Sequence, residues 1–137
     1  MNKSHPDSIR SLRTWGALLA LAALPWVSGC VVVAAGAVGA GAVAYVRGEL
    51  ESSVEHDLDA TYRATQRALA AMEFAKISER KSAVDAELIS RTALDKKVEI
   101  KLVKITERMT KVQIRVGFVG DEQLSLAILE KIKAELS

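Results

Sequence analysis

Chemistry-bearing residues are scarce in this chain of 137 residues. It has one cysteine, Cys30, and two histidines, His5 and His56. A lone cysteine excludes any disulfide within the chain, so a packed core must hold the fold. Only His56 lies downstream of the cysteine. Its neighbours Glu55, Asp57 and Asp59 suggest metal ligation, yet they precede or cap a helix, and no second His or Cys completes a ligand set. One histidine does not make a Ser-His-acid triad. Gly36, Gly39 and Gly41 lack the following Lys-Ser/Thr of a phosphate loop. No enzyme activity and no cofactor are therefore expected.

Charge of one sign is also lacking. The formal net charge is +2, and three bases (Lys3, Arg10 and Arg13) precede the cysteine against one acid, Asp7. The 108 residues from Cys30 onward hold 16 bases and 16 acids. A neutral chain has no clustered positive footprint for nucleic acid, which is not expected as a partner.

What is present begins with those three bases. They lead into an apolar run from Trp15 to Val27, WGALLALAALPWV. The run is shorter than the ~20 residues a membrane-spanning helix needs, and a basic start before a short apolar core is the pattern of a secretory signal. Small residues, Ser28 and Gly29, then precede Cys30. The segment Val27-Ser28-Gly29-Cys30 resembles the lipobox of bacterial lipoproteins. That resemblance implies cleavage between Gly29 and Cys30, a diacylglyceryl thioether on the Cys30 sulfur, and an acyl chain such as palmitate on its new amine. It also implies residence in the cell envelope. Val31 stands where an Asp would mark inner-membrane retention, which points to the outer membrane, facing the periplasm. One chain gives marginal attachment at ~0.8 kcal/mol per CH₂, and two or three give a stable anchor.

Residues 31–46, VVVAAGAVGAGAVAYV, carry no charge. As a helix they would extend ~24 Å, short of a ~30 Å hydrocarbon core. Small residues recur four apart, at Ala35/Gly39, Gly36/Ala40 and Ala37/Gly41, which lets membrane helices approach closely. Two readings stand: an apolar tether, or a membrane-associated helix that self-associates through Gly36, Gly39 and Gly41 into an oligomer. Tyr45 beside Arg47 suits a membrane interface or a packing contact between linker and domain.

Periodicity then changes. Leu50, Ser52 and Val54 alternate with glutamates, as in a half-buried strand. Asp57 reads as the cap of a helix over 57–72, whose stripe is Leu58, Tyr62, Thr65, Leu69 and Met72. Weak strand patterns follow at 74–81 (Ala75 and Ile77 on one side) and 86–92. Two clear ones follow: Val98/Ile100/Leu102 against Lys97/Glu99/Lys101, and Val112/Ile114/Val116 against Lys111/Gln113/Arg115. Gly117 to Gly120 ends the last. Asp121 caps a final helix with Leu124, Ile128, Leu129, Ile132 and Leu136 on its apolar side.

The expected fold class is α+β in the order β-α-β-β-β-β-α. An antiparallel sheet of four to five strands carries two helices on one face, an arrangement that resembles the helix grip of other small envelope lipoproteins. The expected organisation is a signal peptide over 1–29, an apolar segment over 30–46 and a small domain over 47–137. Asp85 and Glu87 fall on one strand face, as solvated acids. The stretch Ala44-Tyr45-Val46-Arg47-Gly48-Glu49-Leu50, with Arg115-Val116-Gly117 through Gly120-Asp121-Glu122, resembles a family of small bacterial lipoproteins classified as a domain of unknown function. The resemblance implies location and fold and brings no catalytic residues. It leaves a lipid-anchored structural or protein-binding module, with membrane lipid and another envelope protein as partners.

Overall fold

The computed structural model describes residues 41–137. Cys30, Gly29, Gly36 and Gly39, with the expected signal peptide, lie outside the described residues.

Six strands and two helices follow in the order β1 (Val43–Val46), β2 (Glu49–Val54), α1 (Leu58–Ala71), β3 (Ala75–Lys81), β4 (Asp85–Arg91), β5 (Lys97–Thr106), β6 (Met109–Val116) and α2 (Glu122–Leu136). They form one antiparallel sheet with strand order β1-β2-β6-β5-β4-β3. After β2 the chain crosses the sheet as α1 to the far edge, then returns as a four-strand meander that pairs β6 with β2. Both helices pack on the same face and on each other.

The alternation of apolar and charged residues explains this layering. A strand turns successive side chains to opposite faces, so Leu50, Leu88, Val98, Ile100, Leu102, Val112, Ile114 and Val116 all point to one side. All are buried against Leu58, Ala64, Ala68 and Leu69 of α1 and Ile128, Leu129 and Ile132 of α2. Ala64 and Ala68 let α1 lie close. Each helix begins at the expected cap. Asp57 accepts from the Ala60 N–H at 2.7 Å, and Asp121 from the Leu124 N–H at 3.0 Å, each satisfying a first-turn donor. The side chains of Thr61 and Thr65 donate back to carbonyl oxygens four residues earlier, so these buried hydroxyls are satisfied within α1.

Two features differ from the expectation. The sheet has six strands rather than four or five, because Val43–Val46 pairs with Glu49–Ser52 as edge strand β1. The folded unit thus takes in residues assigned above to the apolar segment. A tight β1–β2 turn makes this possible, with Arg47 (φ 52°) and Gly48 (φ 81°) both left-handed, the backbone that two-residue hairpin turns require. The second difference lies in β3. A bulge between Lys76 and Ser78 shifts its register, so Ile77 is exposed and the helix side of this edge carries Lys76, Glu79 and Lys81.

Candidate functional site

The described domain has two chemically distinct ends and two distinct faces. The open face of the sheet, away from the helices, is an ion-pair ladder. Arg115 of β6 reaches Glu49 of β2 at 3.4 Å, and Lys111 reaches Glu51 at 3.2 Å. Gln113 bridges both glutamates at 3.0 and 2.8 Å. On β5, Glu99 lies between Lys97 and Lys101 at 2.8 and 3.0 Å. These lysines hold the Glu99 carboxyl below the usual carboxylate range, and Glu99 in turn raises Lys101. The Gln113 hydrogen bond lowers Glu51, with Lys111 adding to it against the cost of burial. Opposite charges facing one another across strands stabilise the pairing. Asp85 and Glu87 fall on this face as expected, each within 4 Å of Arg80, at 3.9 and 3.8 Å.

On the helix side of edge strand β3, the best-connected polar cluster surrounds Glu79. Its carboxylate accepts from Tyr62 Oη and Gln66 Nε2, both at 3.0 Å, and meets Lys76 at 3.1 Å. Burial opposes its ionisation, yet the hydrogen bonds from Lys76, Tyr62 and Gln66 outweigh it and hold the carboxyl below the usual range. Burial and then the bond to Glu79 push the Tyr62 phenol up. Lys81 lies 5.8 Å from the Tyr62 ring centre and pairs with Asp59. A cavity of 180 Å³ sits beside the cluster, lined by Gln66, Leu69, Phe74, Glu79 and Ser90. A general base works best with a pKa near the working pH. Glu79 is moved away from that point and is already engaged by three donors, so its chemistry here is to dock β3 onto α1.

His56 is exposed at the opposite end of the strands from the β1–β2 turn. Its carbonyl accepts from Thr110 Oγ1 at 2.9 Å. It borders a 330 Å³ groove with Gly41, Val54, Lys133 and Leu136. Among the described residues no three of His, Cys, Asp and Glu converge as a metal site. Gly41 sits in a turn before β1, with φ 88°, its N–H donating to Ser53 O at 3.3 Å and open space where a Cβ would lie. It is therefore a strand-leading turn residue of the described domain. Tyr45 lies across from Leu50 and packs half-buried against the core, which is the packing-contact reading of the two given for it.

The other end was not singled out from sequence beyond its glycines. There three loops meet: the β1–β2 turn, the β4–β5 turn over 92–96, and the β6–α2 loop over 117–121. The Gly117 N–H donates to Lys97 O at 2.8 Å, and Lys96 Nζ meets Asp121 at 2.9 Å. The backbone at Gly48 lies directly against Val119 and Gly120, so a Cβ at Gly48 or Gly120 would overlap main-chain atoms, and both glycines have positive φ. From this junction Phe118 projects 98% exposed, with Val119 at 84%, Leu94 at 82% and Val46 at 57%. Two adjacent apolar residues between two glycines are the signal in the sequence that marks it.

The fold and its glycine junction define the chain as a small α+β domain preceded by an apolar N-terminal region. The family model described as a protein of unknown function, DUF3568, matches residues 14–135, and the chain belongs to that family. The match runs from the start of the apolar run at residue 15 to the last turn of α2. No curated protein matches the chain.

Proposed function

We propose that this protein is a lipid-anchored, non-catalytic component of the bacterial cell envelope, held at the outer membrane with its α+β domain in the periplasm, where it docks another envelope protein. The observation that carries the reading is the order of a basic start, a short apolar run and Ser28-Gly29-Cys30. Two further facts support it. The family match begins at residue 14 and so includes the apolar run and the cysteine, which are part of the same family unit as the domain. And the best-connected carboxylate among the described residues, Glu79, is engaged in holding strand to helix.

Cys30→Ser tests the anchor. Without the thiol there is no thioether and no acyl chain, so the variant should leave the envelope fraction or accumulate at its unprocessed mass. A variant that still sediments with membranes at the normal processed mass contradicts the reading.

A further inference from the structure

We infer that the tip formed by Phe118, Val119, Leu94 and Val46 inserts shallowly into a lipid bilayer, the same bilayer that holds the anchor. The inference rests on the lipid-anchor reading of Cys30 and adds to it a second, protein-borne contact.

Isolated exposed apolar side chains are ordinary on protein surfaces, but contiguous ones mark a contact site. Here Phe118, Val119 and Leu94 come from two loops, with Val46 at the end of β1, all at the end of the sheet where backbone contacts of Gly48 with Val119 and Gly120, and of Gly117 with Lys97, join the loops. The shape selects the occupant. A protein partner would need a pocket shaped to receive Phe118, which stands 98% exposed at the apex of a loop pivoting on Gly117 and Gly120, both at positive φ. A convex apolar apex suits a deformable phase. Its collar is long-stemmed and mixed in sign: Arg47 lies next to Val46, while Lys96 and Lys97 beside Leu94 pair with Asp121 and Glu99. Such side chains lay their stems along apolar surface and keep their charges at headgroup level.

The chain is long enough for this pose. Ten residues separate Cys30 from Gly41, and eleven peptide steps reach at most ~36–40 Å. The path from Gly41 along β1 to the tip covers about 20 Å. A domain tethered at Cys30 can therefore turn its far end to the surface that holds it. Tethering also keeps the tip at an effective concentration on the order of mM, so a small apolar wedge suffices.

The test uses the protein purified from the membranes of the cells that make it, produced from the full chain with Trp15 and Trp26, its only tryptophans, changed to Phe. Phe118→Trp then places one indole at the tip. In a separate chain Val84→Trp places it on the β3–β4 turn, at the opposite end of the sheet and also exposed. Each is reconstituted into phosphatidylethanolamine–phosphatidylglycerol vesicles with brominated acyl chains and floated. Tip insertion at ~5–10 Å depth predicts blue-shifted emission from the tip indole, quenched about twofold or more by the bromines, with the turn indole unaffected. Vesicle-bound protein whose tip indole emits as in water and escapes quenching overturns this inference and leaves the anchor standing. Quenching of the turn indole alone also overturns it. So does a shift at the tip seen only when soluble envelope proteins are added, which would assign the tip to a protein. Failure of both chains to float overturns the anchor and the tip together.

Discussion

Glu79 shows how a single side chain takes a structural role through its neighbours. Three donors from two elements converge on its carboxylate, and its side chain keeps only 18% exposure. A carboxyl held below its ordinary pKa binds fewer protons in the folded chain than in the unfolded one. Its contribution is complete above the unfolded value, about 4.3 for Glu, and fades as pH falls through the lower folded value. Glu51, Glu99 and Asp121 are lowered as well, so the domain should lose stability on the acid side. Glu79→Gln keeps the size and removes the charge. It should cost about 1–2 kcal/mol near neutral pH, as loss of charge-assisted bonds does. The gap should narrow at an acidic pH below the ordinary carboxylate range, as Glu79 itself takes up its proton. Urea denaturation of both proteins at the two pH values checks this, and a gap that is independent of pH contradicts it. This cluster was not legible in the sequence. Ile77 and Ala75 read as the apolar side of β3, and nothing in Lys76-Ile77-Ser78-Glu79 announces the bulge that turns Lys76 and Glu79 toward α1.

The elements with clean period-two alternation were legible in sequence, and for one reason. In β5 and β6 one face meets the helices and the other meets water, so each residue reports its side. Helices α1 and α2 were legible from their caps, Asp57 and Asp121, and from their apolar stripes. Strand β1 was not, because its residues Val43-Ala44-Tyr45-Val46 continue an uncharged run and alternate in nothing. The strand is made by its turn. Arg47-Gly48 and Gly117 through Gly120, read from sequence in a resemblance and, for the second, as the break that ends a strand, prove to be the two halves of one junction in which backbone packs on backbone. Gly48 and Gly120 each combine positive φ with a blocked Cβ position, so Gly48→Ala and Gly120→Ala should each destabilise by about 2 kcal/mol or more. Gly117→Ala, where φ is positive but the space is open, should cost about 1 kcal/mol. Denaturation midpoints of the three variants give the ranking, and equal losses at Gly117 and Gly48 would refute the junction.

At the scale of the whole molecule, the chain is built in two chemical styles. The domain over 43–137 balances its charges pair by pair across an open sheet face and buries a continuous aliphatic core. The region before it has three bases and one acid at its start and then an uncharged run that continues into β1. In the function proposed above, the second style belongs at a membrane. The Glu79 cluster joins strand to helix, and the apolar tip leaves the domain with a face for contact. The account therefore depends on what becomes of Cys30. The most direct measurement is the mass of the N-terminal peptide of the protein extracted from the membranes of the cells that make it. The account predicts a peptide that begins at Cys30 and carries a diacylglyceryl thioether with a further acyl chain on the amine. A peptide that begins upstream of Cys30, or one whose cysteine is a free thiol, would contradict it.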